Sequence, residues 1–332
     1  MDSRRGAGTR PLRLATRGSP LARWQAARVA SLLGALPGGP ACELVVVRTA
    51  GDRLADVPLG RIGGQGAFVA EVEAAVLDGR ADLAVHSAKD LRPVPPDGLV
   101  LACVPERGDP RDGLVGTTLG ALAPGARVAT GSVRRRAQLA WLRPDLTFVE
   151  LRGNMATRLR RGEEQGAAVV AVAALERLGL ADRIVEILDP RLVLPQVAQG
   201  ALAVECRGED EEVRGLLAAV DEPVAHRAVA AERAFLAALG GGCSLPVGAL
   251  AAPSGAPSPR TPPAGEGLAL EGMLASGDGR ILLRRRLDGD DPAELGRRLA
   301  QDLLAHGGMA LEDWAPEAWT PEGWAPAGVP VP

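Results

Sequence analysis

Apolar runs of strand length alternate with helical patterns through the first 220 or so residues of this 332-residue chain, and that alternation admits few folds. Strand-like runs fall at 12–16, 43–48, 82–86, 127–130, 146–151 and 167–173. Between them, Ser19-Pro20 opens a helix as N-cap and first-turn proline, with Leu21, Trp24, Val29, Leu32 and Leu33 on one face. Further helical patterns cover about 67–78, 133–142 and 154–161, and another strand signal closes 195–206 before a helix near 209–219. Runs that are apolar throughout belong to strands buried on both faces, so mainly parallel sheets flanked by helices are expected. The alternation restarts after Arg107, which implies two α/β blocks.

Beyond Pro223 the order changes. A helix to about Leu239 is followed by strand-like runs over 245–251, 268–275 and 281–287 and a helix over 292–306. Clustered strands flanked by helices read as a small α+β domain. Residues 252–267, rich in Pro, Ser, Gly and Ala, are expected as a loop, and the Pro- and Trp-rich stretch from about 314 as a tail. A Trp at every fifth position there (Trp314, Trp319, Trp324) leaves a partner-binding segment as the other reading of the tail.

Apolar content of 46% is ample for such cores. A net charge of −3 argues against nucleic acid, as does the shortage of aromatic residues on which bases could stack: no Tyr, three Phe, and five Trp of which three are in the tail. The arginines, however, cluster at Arg134, Arg135, Arg136, Arg152, Arg158, Arg160 and Arg161, so a basic cleft can exist on an acidic protein. No apolar run is long enough to span a membrane, and the basic start lacks the apolar core of an export signal, so the cytoplasm is expected. The lack of an obvious apolar surface stripe favours a monomer. Four scattered cysteines, with no CxxC pair, imply neither a metal site nor a disulfide framework. Cys243 differs from the other three because it follows three glycines, and an exposed thiol on a glycine turn is placed to react.

One lysine serves the whole chain. Of 38 Lys and Arg residues only Lys89 is a lysine, next to Asp90 and just past an apolar strand. A guanidinium is a planar fork that stays charged, whereas a desolvated ammonium can give up its proton, so a lone lysine beside a carboxylate reads as chemistry. Three loops pair hydroxyl or amide groups with cations: Thr16-Arg17-Gly18-Ser19, Thr130-Gly131-Ser132 with Arg134 and Arg135, and Arg152-Gly153-Asn154 with Thr157 and Arg158. At a strand-to-helix junction, free backbone N–H groups and the helix dipole face the same way as such side chains, and arginine grips carboxylates bidentately. One such loop is ordinary capping; three together indicate a cleft for a ligand with several negative groups. The glycine loop over 60–66 lacks the Lys-Ser/Thr pair and spacing of a phosphate loop and is expected as a flap over the cleft. His86, at a strand end, is expected to be structural.

Seven motifs then run in order: 14–26 (LATRGSPLARWQA), 84–90 (AVHSAKD), 106–112 (ERGDPRD), 130–135 (TGSVRR), 151–154 (LRGN), 199–206 (QGALAVEC) and 241–248 (GGCSLPVG). Together they closely resemble the porphobilinogen deaminase family, also called hydroxymethylbilane synthases. The resemblance implies a transferase of tetrapyrrole (haem) biosynthesis, with two periplasmic-binding-protein-like α/β domains and a third bearing a dipyrromethane cofactor. Its domains would be 1–103 with 202–221, 104–201, and 222–310, leaving 311–332 as the tail. Cys243 would carry the dipyrromethane covalently, with Ser87, Lys89, Asp90, Thr130, Ser132, Arg134, Arg135 and Gly153 around it. Arg17, Ser19, Gln25, Phe68, Arg152, Arg158, Arg177 and Gln199 would line the site for the small-molecule substrate porphobilinogen. Asp90, Lys89 and Arg17 would be catalytic.

The residues supply reasons for these roles. Each pyrrole carries two carboxylates, which calls for many bidentate cations. Loss of ammonia from porphobilinogen leaves a cation whose charge the ring nitrogen shares, and a fixed carboxylate aimed at that nitrogen stabilises it. At about 4 Å and an effective dielectric near 20 this is worth roughly 4 kcal/mol, on the order of a thousandfold in rate. The free α-carbon of the preceding pyrrole attacks the methylene; four rounds and hydrolysis release linear hydroxymethylbilane. Three places depart from the family pattern. Arg61 and Gln65 stand where the flap carries lysines, Arg92 stands where proline is common, and the 252–267 loop and the tail look like additions. The rival reading is a two-lobed binder of organic anions that does no chemistry.

Overall fold

The computed structural model describes residues 10–49, 68–240, 246–255 and 267–308. The glycine loop with Arg61 and Gln65, Cys243, most of the 252–267 loop and the tail lie outside the described residues.

Three parallel strands begin the first sheet: β1 (Leu12–Arg17), β2 (Cys42–Val47) and β3 (Leu83–Ser87). Helix α1 (Pro20–Gly34) links the first two, and α2 (Ala70–Leu77) precedes the third. Helix α1 starts where the sequence predicts, because Ser19 Oγ accepts from the Ala22 N–H at 3.2 Å and Pro20 needs no N–H in the first turn. Its buried face, however, is Ala22, Gln25, Ala26, Val29 and Leu33. Trp24 is turned outward, 36% exposed, with its indole 5.5 Å from the Arg177 guanidinium. A cation–π partner on another element has replaced the expected apolar contact.

The sheet is completed by β4 (Leu99–Cys103) and β10 (Leu202–Arg207), in the order β2-β1-β3-β10-β4. A second sheet of five, ordered β7-β6-β8-β5-β9, is made by β5 (Asp112–Val115), β6 (Arg127–Ala129), β7 (Thr147–Val149), β8 (Ala168–Ala171) and β9 (Glu186–Ile187). Helices α3 (Val133–Leu142), α4 (Met155–Gln165) and α5 (Val172–Arg177) follow β6, β7 and β8, and α6 (Glu211–Ala218) follows β10. The third unit packs α7 (Pro223–Ala238) and α8 (Pro292–Ala305) on an antiparallel sheet of β11 (Val247–Pro253), β12 (Leu268–Ala275) and β13 (Leu282–Gly289). The fold class is therefore α/β, two α/β sheet units and a small α+β C-terminal unit.

The sheets are mixed rather than mainly parallel. β10 runs antiparallel to both β3 and β4, and β5 antiparallel to both β8 and β9. The reason is connectivity. After β4 the chain crosses to the second sheet and enters it as β5; after β9 it crosses back and enters the first sheet as β10. Both crossings lie at the ends where β3 and β8 finish: Ser87 pairs with Leu202, and Ala171 with Asp112. A strand that enters at that edge has to run away from it. The two crossing segments lie side by side, with Gly108 N–H donating to Gly200 O at 2.9 Å and a bridge between Arg107 and Ala201. Gly200 has a φ of +86°, and a Cβ there would stand 2.6 Å from Gly108 O, so both the conformation and the approach require glycine.

Glu232, on α7 and fully buried, ties the third unit to this junction. Its carboxylate accepts from Arg107 Nη1 at 2.6 Å and Nη2 at 3.1 Å, from Ala198 N at 2.6 Å and from Ala251 N at 2.8 Å. Ala198 has a φ of +58°, and its N–H bond to Glu232 helps hold that strained conformation. Behind Glu232, Phe235, Leu270, Leu295, Leu299 and Leu303 are fully buried or nearly so, and share one core with Val104, Ala201 and Ala203 from the crossings and β10. Leu295, Leu299 and Leu303 recur every four residues on α8, which is capped by Asp291 accepting from Glu294 N at 2.7 Å. Glu232→Ala leaves Arg107 buried without its carboxylate and strips two backbone N–H groups, so a loss of about 3–5 kcal/mol is expected, read as a lower urea midpoint.

Candidate functional site

The ends of β3, β6, β7 and β8 and the two crossings meet in one cleft. Ser87 ends β3, and the chain tightens into a 3-10 turn, Ala88–Asp90, fastened by Ala88 N–H donating to Ala201 O at 3.0 Å. That bond sets Lys89 and Asp90 against the returning crossing. Lys89 Nζ donates to Gln199 Oε1 at 3.4 Å, and Gln196 Nε2 donates to the Lys89 carbonyl at 3.3 Å. Burial pulls the Lys89 ammonium down to about 8, opposed by Asp90 and Asp112 and reinforced by Arg135 and Arg158. Arg158, from α4, is itself pulled below the usual guanidinium range, first by burial, then by Arg135 and Arg152, against Asp90 and Glu150. Three separate elements thus meet around Lys89.

Side-chain oxygens of the three anion loops accept from nearby backbone N–H groups, three of them as helix caps. Ser19 Oγ caps α1, Ser132 Oγ accepts from Arg135 N at 3.4 Å, Asn154 Oδ1 accepts from Thr157 N at 3.0 Å, and Thr130 Oγ1 accepts from Ser132 N at 3.2 Å. A capping hydroxyl still has its own O–H to donate. Arg160 and Arg161 are exposed, whereas the loop arginines are at least half-buried. Arg134 and Arg135 are buried on α3: Arg134 donates to Leu194 O at 2.6 Å and Asp112 Oδ2 at 2.7 Å, and Arg135 to Val169 O at 2.9 Å and Asp112 Oδ1 at 2.7 Å. Arg152 sits 2.6 Å from Glu150, and Arg158 Nε donates at 2.9 Å to the carbonyl of Gly153, whose φ of +101° suits glycine.

Other predicted residues stand along the same opening rather than at Asp90. Arg17 lies over the Phe68 ring at 4.3 Å. Arg177 donates to Gly200 O at 2.6 Å beside Trp24. Gln25 is buried, and its Nε2 has no hydrogen-bond partner among the described residues. His86 is buried 3.4 Å from Glu205 and held neutral, pulled down to about 3 by burial and by Arg17 and Arg233. Asp112 received no role from the sequence. It begins β5, is fully buried, and holds Arg134, Arg135 and Gln199 together. Its motif contains four other charged residues, Glu106, Arg107, Asp109 and Arg111, and no spacing rule says which one a strand start will bury.

The cleft fits a guest with several carboxylates. Among the described residues, Lys89, Arg134, Arg135, Arg152 and Arg158 gather with Asp90, Asp112 and Glu150, and burial lowers three of those cations. Arginine stays charged in proteins, so an excess of desolvated guanidinium groups is stabilised by an incoming anion.

A two-lobed α/β protein with a cation-rich cleft is the class that fold and site define. The family model described as porphobilinogen deaminase, dipyromethane cofactor binding domain, matches residues 12–215, and that of the porphobilinogen deaminase C-terminal domain matches 226–305. The porphobilinogen deaminase of Roseiflexus castenholzii is 47% identical over 306 residues, covering 90% of this chain and 98% of that one. That of Moorella thermoacetica is 46% identical, covering 89% and 94%. The chain belongs to the porphobilinogen deaminase family, and with it to the enzymes. Among solved structures, the Methionine Binding Protein, MetQ, covers 67% of this chain and 94% of its own at 15% identity and a TM-score of 0.38, too loose a likeness to bear on the fold.

Neutral His86 has a consequence for acid stability. Its folded pKa lies below the unfolded value near 6.5, so the unfolded chain takes up the proton first, and stability from this group is lost as pH falls from about 6.5 toward 3. Glu205, raised to about 7 by burial and Glu73, acts in the opposite sense between about 4.5 and 7 and is common to both proteins compared. The wild type is therefore expected to lose more stability than His86→Gln between pH 6.5 and 4 by urea titration, with the His86 ring carbon shifts still those of a neutral imidazole at pH 5.

Proposed function

We propose that this chain joins four porphobilinogen molecules head to tail with loss of ammonia and releases linear hydroxymethylbilane. The observation that carries the reading is the gathering of Asp90, Arg135 and Arg158, from three different elements, around Lys89. The catalytic group is Asp90: its carboxylate accepts from pyrrole N–H and stabilises the positive charge that the ring nitrogen shares when ammonia departs. Arg135, Arg152 and Arg158 grip acetate and propionate arms, with Thr130, Ser132 and the Gly153 backbone beside them; Arg134 holds the floor of that group through Asp112 and Leu194 O. Arg17 over Phe68, Ser19, Gln25, Arg177 and Gln199 line the approach of substrate.

Cys243 would hold the dipyrromethane, and that group would supply a free pyrrole α-carbon as the nucleophile. The cation excess around Asp90 suits its carboxylate arms. Lys89, pulled to about 8, can hold or release a proton near neutrality beside Asp90, as a guanidinium cannot. The division into 1–103 with 202–221, 104–201 and 222–310 is supported at its first two boundaries by the crossings, which would act as the connectors between units. We place the enzyme in the cytoplasm as a monomer, with no nucleic-acid partner and no membrane; among the described residues no helix is long and apolar enough to cross one.

Two measurements test this reading. The intact mass of freshly purified, active protein is expected to exceed the polypeptide by two pyrrole units, and a bare mass returns the reading to an anion binder. Asp90→Ala is expected to lower the rate of hydroxymethylbilane formation on the order of a thousandfold with an unchanged circular dichroism spectrum. Normal turnover by that variant removes the charge-stabilising role. Gln65→Lys is expected to leave turnover within about a few-fold.

A further inference from the structure

We infer that Asp112 is a positioning residue: it fixes the side-chain amide of Gln199 so that the carbonyl end faces the Lys89 ammonium. The inference rests on the reading of the site above and assigns within it a residue that contacts neither substrate nor the primer.

The geometry admits one orientation of that amide. Gln199 is fully buried, and its Nε2 lies 2.7 Å from Pro110 O and 2.8 Å from Asp112 Oδ1. A backbone carbonyl and a carboxylate are both acceptors, so only the NH2 end of the amide can occupy that place. The Oε1 end is then forced to the other side, 3.4 Å from Lys89 Nζ and 3.5 Å from Arg135 Nη2. Two donors meet one acceptor there, which is again the only satisfied arrangement. A flipped amide would set NH2 against two cations and a carbonyl against a carboxylate.

Asp112 is itself held by Arg134 Nη2 at 2.7 Å and by Arg135 Nε at 3.0 Å and Nη2 at 2.7 Å. The carboxylate therefore spans α3, the outgoing crossing at the start of β5, and the returning crossing that bears Gln199. The charged groups around Lys89 are Asp90 on its own turn, Arg135 on α3, Arg158 on α4 and Asp112 on β5. Two of the four are cations that disfavour the ammonium. Against them stand Asp90, Asp112 and the oriented carbonyl dipole of Gln199. Removing Asp112 deletes one of the opposing charges and frees the dipole to turn. Both changes act in one direction, making the ammonium easier to deprotonate.

A single lysine in the chain makes the test direct. With lysine labelled at Cε with carbon-13, the holoenzyme gives one lysine resonance, and its titration reports Lys89 whether or not the protein turns over. Asp112→Asn and Gln199→Leu are expected to move the midpoint downward by about one unit or more. In the double variant the combined shift falls short of the sum, because part of the Asp112 effect passes through Gln199. The basic limb of the kcat profile should move with the resonance, while KM measured at pH 6.5 changes less than kcat at pH 8.5. If Asp112→Asn does not fold, Gln199→Leu, which leaves the Asp112–arginine pairs intact, carries the test alone. A midpoint unchanged in every variant that folds overturns the inference. Failure of the functional reading shows differently: the wild type would release no hydroxymethylbilane, while the lysine titration would still answer for Asp112.

Discussion

The rest of the structure depends on the paired crossing between the two α/β sheets. Gly108 and Gly200 lie close enough for backbone to touch backbone, and that contact sets both β5 and β10 running away from the edge where β3 and β8 end. Strand starts and strand ends thereby share one edge. Asp112, at a strand start, meets Arg134 and Arg135, which follow a strand end, and Gln199 meets Lys89 for the same reason. Glu232 anchors the third unit at this one place, where four donors reach a single buried carboxylate. Such a cluster holds geometry more than it adds net stability, since desolvation offsets much of the Coulomb attraction.

Electrostatics explains why the cleft holds so many guanidinium groups and one ammonium. Buried arginines keep their charge and present fixed forks, which suits the holding of carboxylates. They also repel one another, as the lowering of Arg158 by Arg135 and Arg152, after burial, indicates. Lysine in the same surroundings yields: burial and the neighbouring arginines bring Lys89 down to about 8, close to neutrality. The one position where the chain uses a lysine is thus one whose charge can change near neutrality, as a guanidinium's cannot.

Much of the candidate site was legible from local pattern. Ser19-Pro20 announced the start of α1, Ser132 and Asn154 cap α3 and α4, and the hydroxyl-plus-arginine loops stand where strands end and helices begin. These are short-range effects in which a side chain serves a backbone group two or three residues away. The direction of β5 and β10 was not legible, because an apolar run reads the same from either end and pairing is chosen by a partner far away in sequence. Trp24 was misplaced on the buried face for a similar reason: its ring is drawn outward by Arg177, more than 150 residues on.

The amino-acid sequence by itself determined the alternation of strands and helices, the helix caps, the supply of arginines and the single lysine beside Asp90. Each of these is set by neighbours a few residues apart, or by composition alone. Only the tertiary structure decided that Asp112 would be the buried carboxylate, that Gln199 would turn its carbonyl to Lys89, and that Glu232 would hold the junction. Those choices follow from which chain segments cross and touch, and a contact between residues 87 positions apart leaves no periodic trace in either segment.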